Sequence, residues 1–485
     1  MHDVTKWLLV LIAVVLVGLL IVTRKPEPVK VSRQTPQEIW QGVLEVSGIK
    51  LRLVLKITKN PDGTLRATLD SVDQGAMNLP VDSIVIEGKT MRFTMKSIGG
   101  SYEGTLNEDK TEVSGRWTQS GQSLPLVFKR VTEQAQAPQL KRPQEPKKPY
   151  PYREEDVVFA NPEAGITLAG TLTLPKGPGP FPAVVLISGS GQQDRDETVF
   201  GHRPFLIIAD HLTRQGIAVL RYDDRGVGKS TGDPTNATSA DFATDALAAV
   251  RYLQTRKEIN PQKIGLIGHS EGGLIAPMVA VQAPNEIAFI VLLAGPGVTG
   301  EDIILLQYEL IGRASGVSEQ IMAQNLALQR RVFTVVKEQS DTMEAEREIR
   351  TLWLEELSRL SEEEQKALGL SEAVIEAQIK QILSPWFRYF LTYDPRPTLS
   401  QVRCPVLVLN GEKDLQVPPS QNLPEIVKAL EAGGNREYAA IKLAGLNHLF
   451  QASTTGAPVE YAQIEETFSP KALEIISEWV LRQVR

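Results

Sequence analysis

One serine in this chain sits where its hydroxyl could do chemistry. The run Gly268-His269-Ser270-Glu271-Gly272-Gly273 follows the apolar stretch IGLI and precedes the helical pattern LIAPMVAVQA. A strand, a sharp turn and a helix in that order hold a serine hydroxyl up at the turn, with glycines where a side chain would clash. G-x-S-x-G is expected about 0.2 times by chance in a chain of this length, so the flanking context carries the reading. A nucleophilic serine needs a base. Of the five histidines, His2 precedes an N-terminal apolar run, His202 and His211 precede the serine, and strand alternation should turn His269 away from the site. His448 remains, in LAGLNHLF, after the strand pattern IKLAG. The third member should be a carboxylate that fixes the imidazole tautomer and stabilises the imidazolium, in the chain order Ser, Asp or Glu, His. Asp414, in NGEKDLQVPP just past the strand VLVLN, fits; Glu412 and Asp394 are its rivals. An anionic tetrahedral intermediate also needs backbone donors, each worth about 2.7 to 4 kcal/mol. One is expected at the Glu271 amide, where a helix dipole helps. The second is expected from the loop Ser188-Gly189-Ser190-Gly191-Gln192-Gln193-Asp194-Arg195, at Ser190 or Gly191.

These residues need a rigid frame, and the second half of the chain has the pattern of one. Apolar runs at Ile166 to Leu174, Ala183 to Ser188, Ile217 to Tyr222, Ile264 to Gly268, Ala288 to Ala294, Val406 to Asn410 and Tyr438 to Leu443 alternate with helical stretches such as Ser239 to Gln254. Continuous runs of this kind suit strands buried on both faces of a parallel sheet, so an open α/β sheet is expected over 153–485. From about Gly300 to Arg396 the alternation stops and the segment turns acidic and helical, which reads as a helical cap over 300–396. Its aromatic stretch Trp386, Phe387, Tyr389, Phe390 could line an apolar pocket or pack the cap onto the sheet.

Ahead of this frame, residues 36–132 show a period near two broken by turn chemistry, as in IKLRLVLKIT-NPDG-TLRATLDSV. About eight short antiparallel strands are expected there, forming a small all-β barrel or sandwich. Prolines 138, 143, 146, 149 and 151 make 133–152 an extended linker. Residues 1–25 contain the charge-free run Trp7 to Thr23, with Lys6 before it and Arg24 and Lys25 after it. At 17 residues it meets the lower limit of a membrane helix, and it lacks an A-x-A-like cleavage site. An uncleaved membrane anchor is expected, with a cleaved signal peptide as the alternative; either exports the globular part.

Composition narrows the function classes. The chain has 485 residues, 42% hydrophobic and 23% charged, with a formal net charge of -6. That balance fits ordinary globular domains and opposes nucleic-acid binding, which needs a phosphate-neutralising surface. Cys404 is the single cysteine, so no internal disulfide and no thiolate metal cluster can form.

On GHSEGG at 268 to 273, NGEKDLQVPP at 410 to 419, LNHLF at 446 to 450 and RYDDRGVGKSTG at 221 to 232, residues from about Val157 to Arg485 resemble the α/β-hydrolase superfamily, in particular its bacterial serine esterase and serine-peptidase-like branch. The resemblance implies a Ser270, Asp414, His448 triad acting through an acyl-enzyme on a small-molecule ester, with no metal or organic cofactor. It implies a supporting role for the 221 to 232 block beside the site. Relatives often carry His-Gly at the oxyanion loop, where this chain has Ser188-Gly189. Two alternatives stay open: an aminopeptidase or other amide or thioester hydrolase on the same triad, and a binding protein whose hydrolase fold is vestigial.

Overall fold

The computed structural model describes residues 38–46, 49–60, 62–72, 76–95, 100–119, 122–131, 141–358 and 372–485. The N-terminal run expected as an anchor or signal lies outside them, and among the described residues no helix is long and apolar enough to cross a membrane. The chain divides into two compact units.

The first unit contains nine strands: β1 (Glu38–Val46), β2 (Ile49–Lys59), β3 (Leu65–Ser71), β4 (Ala76–Val81), β5 (Ser83–Glu87), β6 (Thr90–Met95), β7 (Gly100–Leu106), β8 (Glu112–Gln119) and β9 (Gln122–Val131). They form one antiparallel sheet ordered β4-β3-β2-β1-β9-β8-β7-β6-β5, and its curl brings β3 back beside β5, giving a nearly closed, barrel-like body. Side chains alternate along β6 and β7 between solvent and a core that includes Trp40, Leu55, Phe93, Tyr102, Trp117 and Phe128. The turn at Asn60 to Thr64 closes the β2–β3 hairpin, with Gly63 at φ +87° and its N–H donated to the Asn60 carbonyl at 2.9 Å. The two strands that the period-two pattern did not single out are β1 and β4; β4 lies at the end of the sheet order, where a proline is tolerated, and Pro80 stands opposite Thr68 of β3.

The second unit carries β10 (Arg153–Asn161), β11 (Ile166–Leu174), β12 (Phe181–Ile187), β13 (Ala218–Tyr222), β14 (Ile259–His269), β15 (Phe289–Leu293), β16 (Val406–Gly411) and β17 (Tyr438–Leu443). Their order is β10-β11-β13-β12-β14-β15-β16-β17; β10, β11 and β13 pair antiparallel, and every pairing from β13 to β17 is parallel. The apolar runs have a simple cause. Ala183, Val185 and Ile187 of β12 pack with one core, while Val184 and Leu186 pack with the other. Helices α1 (Pro204–Arg214), α2 (Ser239–Gln254) and α3 (Glu271–Gln282) connect the central strands. Between β15 and β16 in the chain come the cap helices α4 (Gly300–Ala314), α5 (Glu319–Glu338), α6 (Thr342–Leu357), α7 (Glu372–Ile382), α8 (Pro385–Thr392) and α9 (Arg396–Leu399), of which the stretch Arg350–Ile379, the end of α6 and most of α7, falls in the first unit; α10 (Pro419–Ala432) and α11 (Pro470–Gln483) complete the frame. Helices α2, α3 and α10 cover one face of the sheet, α1 and α11 the other.

From Arg142 onward the proline-rich segment is held to this unit. The Arg142 guanidinium donates to the carbonyls of Phe200, Gly201, Ala462 and Ile464, and the Gln144 side chain accepts from the amides of Thr467 and Phe468.

Candidate active site

Strand β14 ends at the carboxyl edge of the sheet between β12 and β15, and the next residue breaks the strand. Ser270 stands at φ 52°, ψ −116°, a conformation L-residues avoid unless the surroundings impose it. Those surroundings are main chain against main chain. A Cβ on Gly268 would meet the Gly272 carbonyl, and one on Gly272 would meet the Ile187 carbonyl. The turn is pinned by Ser270 N–H to Leu293 O and Gly273 N–H to Ser270 O, both 2.8 Å. Helix α3 starts at Glu271, so its first amides lack intrahelical partners beside the serine.

His448 lies in the loop after β17, 5% exposed, with Nδ1 at 2.8 Å from Asp414 Oδ2. Asp414 is 1% exposed and fully engaged. Its Oδ1 accepts from the Gln416 and Val417 amides at 2.8 Å, and its Oδ2 accepts from Asn410 Nδ2 at 3.0 Å. A carboxylate held this way presents one oxygen to Nδ1–H and leaves Nε2 as the free basic nitrogen. The rivals are occupied elsewhere: Glu412 caps the Gly445 amide at 3.0 Å, and Asp394 pairs with Arg396 at 2.8 Å.

The loop after β12 lies against the serine, with a Cβ built on Gly189 falling 3.2 Å from Ser270 Cβ. The Gly189 amide is already donated to Glu197 Oε1 at 2.7 Å, which leaves the next amides, Ser190 and Gly191, as the expected oxyanion donors. The chain turns at Gly191, φ +98°. The 221 to 232 block holds this loop. Asp224 accepts from Ser188 Oγ and the Gln193 amide, both at 2.8 Å, and Asp223 accepts from the Arg195 side chain and amide. Burial raises Asp224 well above the ordinary carboxylate range. Burial also acts on Asp223, but its bonds to Arg195 outweigh it and hold that carboxyl below the range.

His269 departs from expectation. It does leave β14 on the face opposite Leu266, but the His448 loop folds over that same face, so the ring is beside the site and not turned away from it. Its Nδ1 is 2.8 Å from Glu197 Oε1, its Nε2 3.0 Å from the His448 carbonyl, and its ring centroid 4.9 Å from that of His448. The residue before Ser270 is thereby in contact with the main chain of His448. Glu197, buried at φ +51°, carried no motif that reading the sequence could have used.

The cap reaches the elbow through one aromatic residue. Trp386 Nε1 donates to Glu271 Oε1 at 2.8 Å, and Ser239 Oγ donates to the same oxygen at 2.6 Å. Burial raises the Glu271 carboxyl despite both bonds. Phe387 is fully buried and packs on Phe333 within the cap, while Trp386 stacks on Phe390 at 5.3 Å. Among the described residues the other two histidines are structural: His211 contacts Ser477, and His202 is enclosed by Thr467, Tyr461 and Gln451. No cluster of three metal-ligating side chains occurs among the described residues.

A serine on a strained strand-to-helix turn, a carboxylate-bonded histidine on a later loop and a cap between two parallel strands together define the hydrolase class of open α/β sheets. The alpha/beta hydrolase fold family model matches residues 182–442, and the chain belongs to that family. Esterase EstD of Thermotoga maritima is 27% identical over 388 residues, 79% of each chain. Among solved structures, an esterase of Pyrococcus furiosus matches at 15% identity, covering 72% of this chain and 99% of its own, with a TM-score of 0.42. Est1E of Butyrivibrio proteoclasticus, solved with ferulic acid bound, matches at 17% identity, covering 68% and 99%, with a TM-score of 0.39.

Proposed function

We propose that this protein is a serine hydrolase of carboxylic esters, with Ser270 as nucleophile, His448 as general base and acid, and Asp414 as the group that orients it. Ser270 Oγ attacks the ester carbonyl carbon as His448 Nε2 takes the hydroxyl proton. The amides of Glu271 and of Ser190 or Gly191 receive the oxyanion. The C–O bond to the alcohol breaks as His448 returns the proton to it, leaving an acyl-enzyme; water, deprotonated by His448, then releases the acid. The observation that carries this reading is the backbone of Ser270, since a left-handed serine wedged between glycines has no packing role that a relaxed residue would not fill better. The likeness to the esterase of Thermotoga maritima supports ester over amide substrates. No metal or organic cofactor takes part in the scheme.

Export belongs to the same proposal, through residues 1–25 as anchor or signal, on the strength of the charge-free run after Lys6. The test is hydrolysis of p-nitrophenyl esters from acetyl to palmitoyl by protein lacking residues 1–25, beside Ser270→Ala. A loss on the order of 10⁶ in kcat is expected in the variant. Turnover unchanged by Ser270→Ala, or none on any ester, would refute the reading.

A further inference from the structure

Neither ring nitrogen of His269 faces a donor. Nδ1 meets the Glu197 carboxylate at 2.8 Å and Nε2 meets the His448 carbonyl at 3.0 Å. A carbonyl can only accept, and an ionised carboxylate can only accept, so a neutral imidazole, with one N–H, would turn a lone pair onto a lone pair. Both contacts are hydrogen bonds only if the His269–Glu197 pair holds one more proton than a neutral imidazole beside a carboxylate. Burial alone would push His269 down, but the charge and hydrogen bond of Glu197 outweigh it and raise the imidazole. Asp414, behind His448, acts in the same direction; the rings packed against it are the His448 imidazole, centroid 4.9 Å away, and the uncharged Phe450.

Glu197 does a second thing with the same oxygen, accepting the Gly189 amide at 2.7 Å. It is 3% exposed and held at φ +51°, a strained setting for a non-glycine residue and a poor place for a carboxylate that packs only for stability. The three contacts form one path: the Gly189 amide of the loop after β12, Glu197, His269 on the residue before the nucleophile, and the main chain of His448.

We propose that Glu197 and His269 form a buried carboxylate–imidazolium pair that positions the reaction centre, tying the oxyanion loop to the main chain of His448 across the base of Ser270. This rests on the assignment of Ser270 and His448 above. Glu197 and His269 are positioning residues and touch no substrate. Loosening the tie lets the oxyanion donors and the His448 imidazole drift relative to Ser270, and misplacement on the order of 1 Å costs about 10²-fold in rate. The loss should fall on the chemical step and spare substrate binding.

The experiment uses the protein lacking residues 1–25 and a p-nitrophenyl ester, with Ser270→Ala, Glu197→Gln, Glu197→Asp, His269→Gln and the double Glu197→Gln/His269→Gln in parallel. Glu197→Gln keeps an oxygen for the Gly189 amide but cannot balance an imidazolium. The expected result is a fall in kcat of about 10- to 100-fold in Glu197→Gln and in His269→Gln, with KM within about threefold. The double variant should be no worse than the poorer single one, and Glu197→Asp should recover part of the loss because it keeps the charge. Kcat within twofold of the parent in either single variant, a rise in KM alone, or losses that multiply in the double variant would overturn the proposal. A second readout needs no variant to fold: with ring-¹⁵N histidine, one residue should keep both ring protons at pH 8, and its absence would overturn the proposal too. Ser270→Ala separates the two levels. If it matches the parent, the serine reading fails; if it is inactive while Glu197→Gln is not impaired, only the positioning pair fails.

Discussion

Acidification should weaken the second unit through His202, and the size of the effect follows from its surroundings. His202 is fully buried. Its Nδ1 is 2.9 Å from Thr467 Oγ1, and its Nε2 is 2.8 Å from the Tyr461 carbonyl and 2.9 Å from Gln451 Nε2, so polar groups enclose the ring on both sides. Burial, reinforced by the nearby Arg142 guanidinium, pulls its pKa from 6.5 to about 4. The unfolded chain therefore binds more protons than the folded one between these two values. Stability is fully present above pH 6.5 and is lost as pH falls toward 4. At 1.36 kcal/mol per pH unit the interval amounts to about 3 kcal/mol. Urea unfolding of the parent and of His202→Gln, followed by tryptophan fluorescence at pH 4, 5, 6, 7 and 8, isolates this from the carboxylates that both proteins share. The parent's advantage over the variant should be largest at pH 7 and above and shrink by about 3 kcal/mol by pH 4. A gap that stays constant over that range would refute the reasoning.

Three further outcomes are expected. Trp386→Phe removes the indole N–H that meets Glu271 at 2.8 Å, and kcat/KM on p-nitrophenyl esters should fall about tenfold, the worth of one hydrogen bond to a charged group; a value within twofold of the parent would show that the cap does not act on the elbow through this bond. Gly272→Ala would drive a methyl into the Ile187 carbonyl and should cost more than about 3 kcal/mol in urea unfolding or abolish soluble protein, whereas a loss below 1 kcal/mol would mean that the elbow can relax. Tyr102→Phe, which deletes a hydroxyl shared between the Val113 and Leu126 carbonyls at 3.0 and 3.1 Å, should destabilise the first unit by about 1 kcal/mol and leave ester hydrolysis unchanged.

The sequence was most legible where local pattern and tertiary environment agree. Strands β11, β16 and β17 and helix α2 begin where the apolar runs and helical spacing place them; β16 is buried at every residue, whereas β17, at the end of the sheet order, is mostly half-exposed. Asp414 and His448 could be reached because chain order and a strand end restrict the choice to a few residues. Strand β10 was not legible: its burial alternates only from Val157 onward, and its charged start, REED, reads as a continuation of the polar segment before it. His269 was misjudged for a different reason. Alternation predicts which face a residue leaves, but not which distant loop covers that face. Glu197 depends on contacts with residues 8 and 72 positions away and on a left-handed turn, and no local spacing encodes that.

The glycines around Ser270 also bear on how such a protein can change. Because the elbow is fixed by main chain meeting main chain at Gly268, Gly272 and Ile187, the serine's orientation does not depend on the side chains that would face an acyl group. Cap residues other than Trp386, whose indole bonds Glu271, can vary in size and polarity without displacing the nucleophile, so substrate range can drift through ordinary substitutions while the reactive geometry is inherited intact. The freedom stops at those few glycines, where even a methyl group is too large.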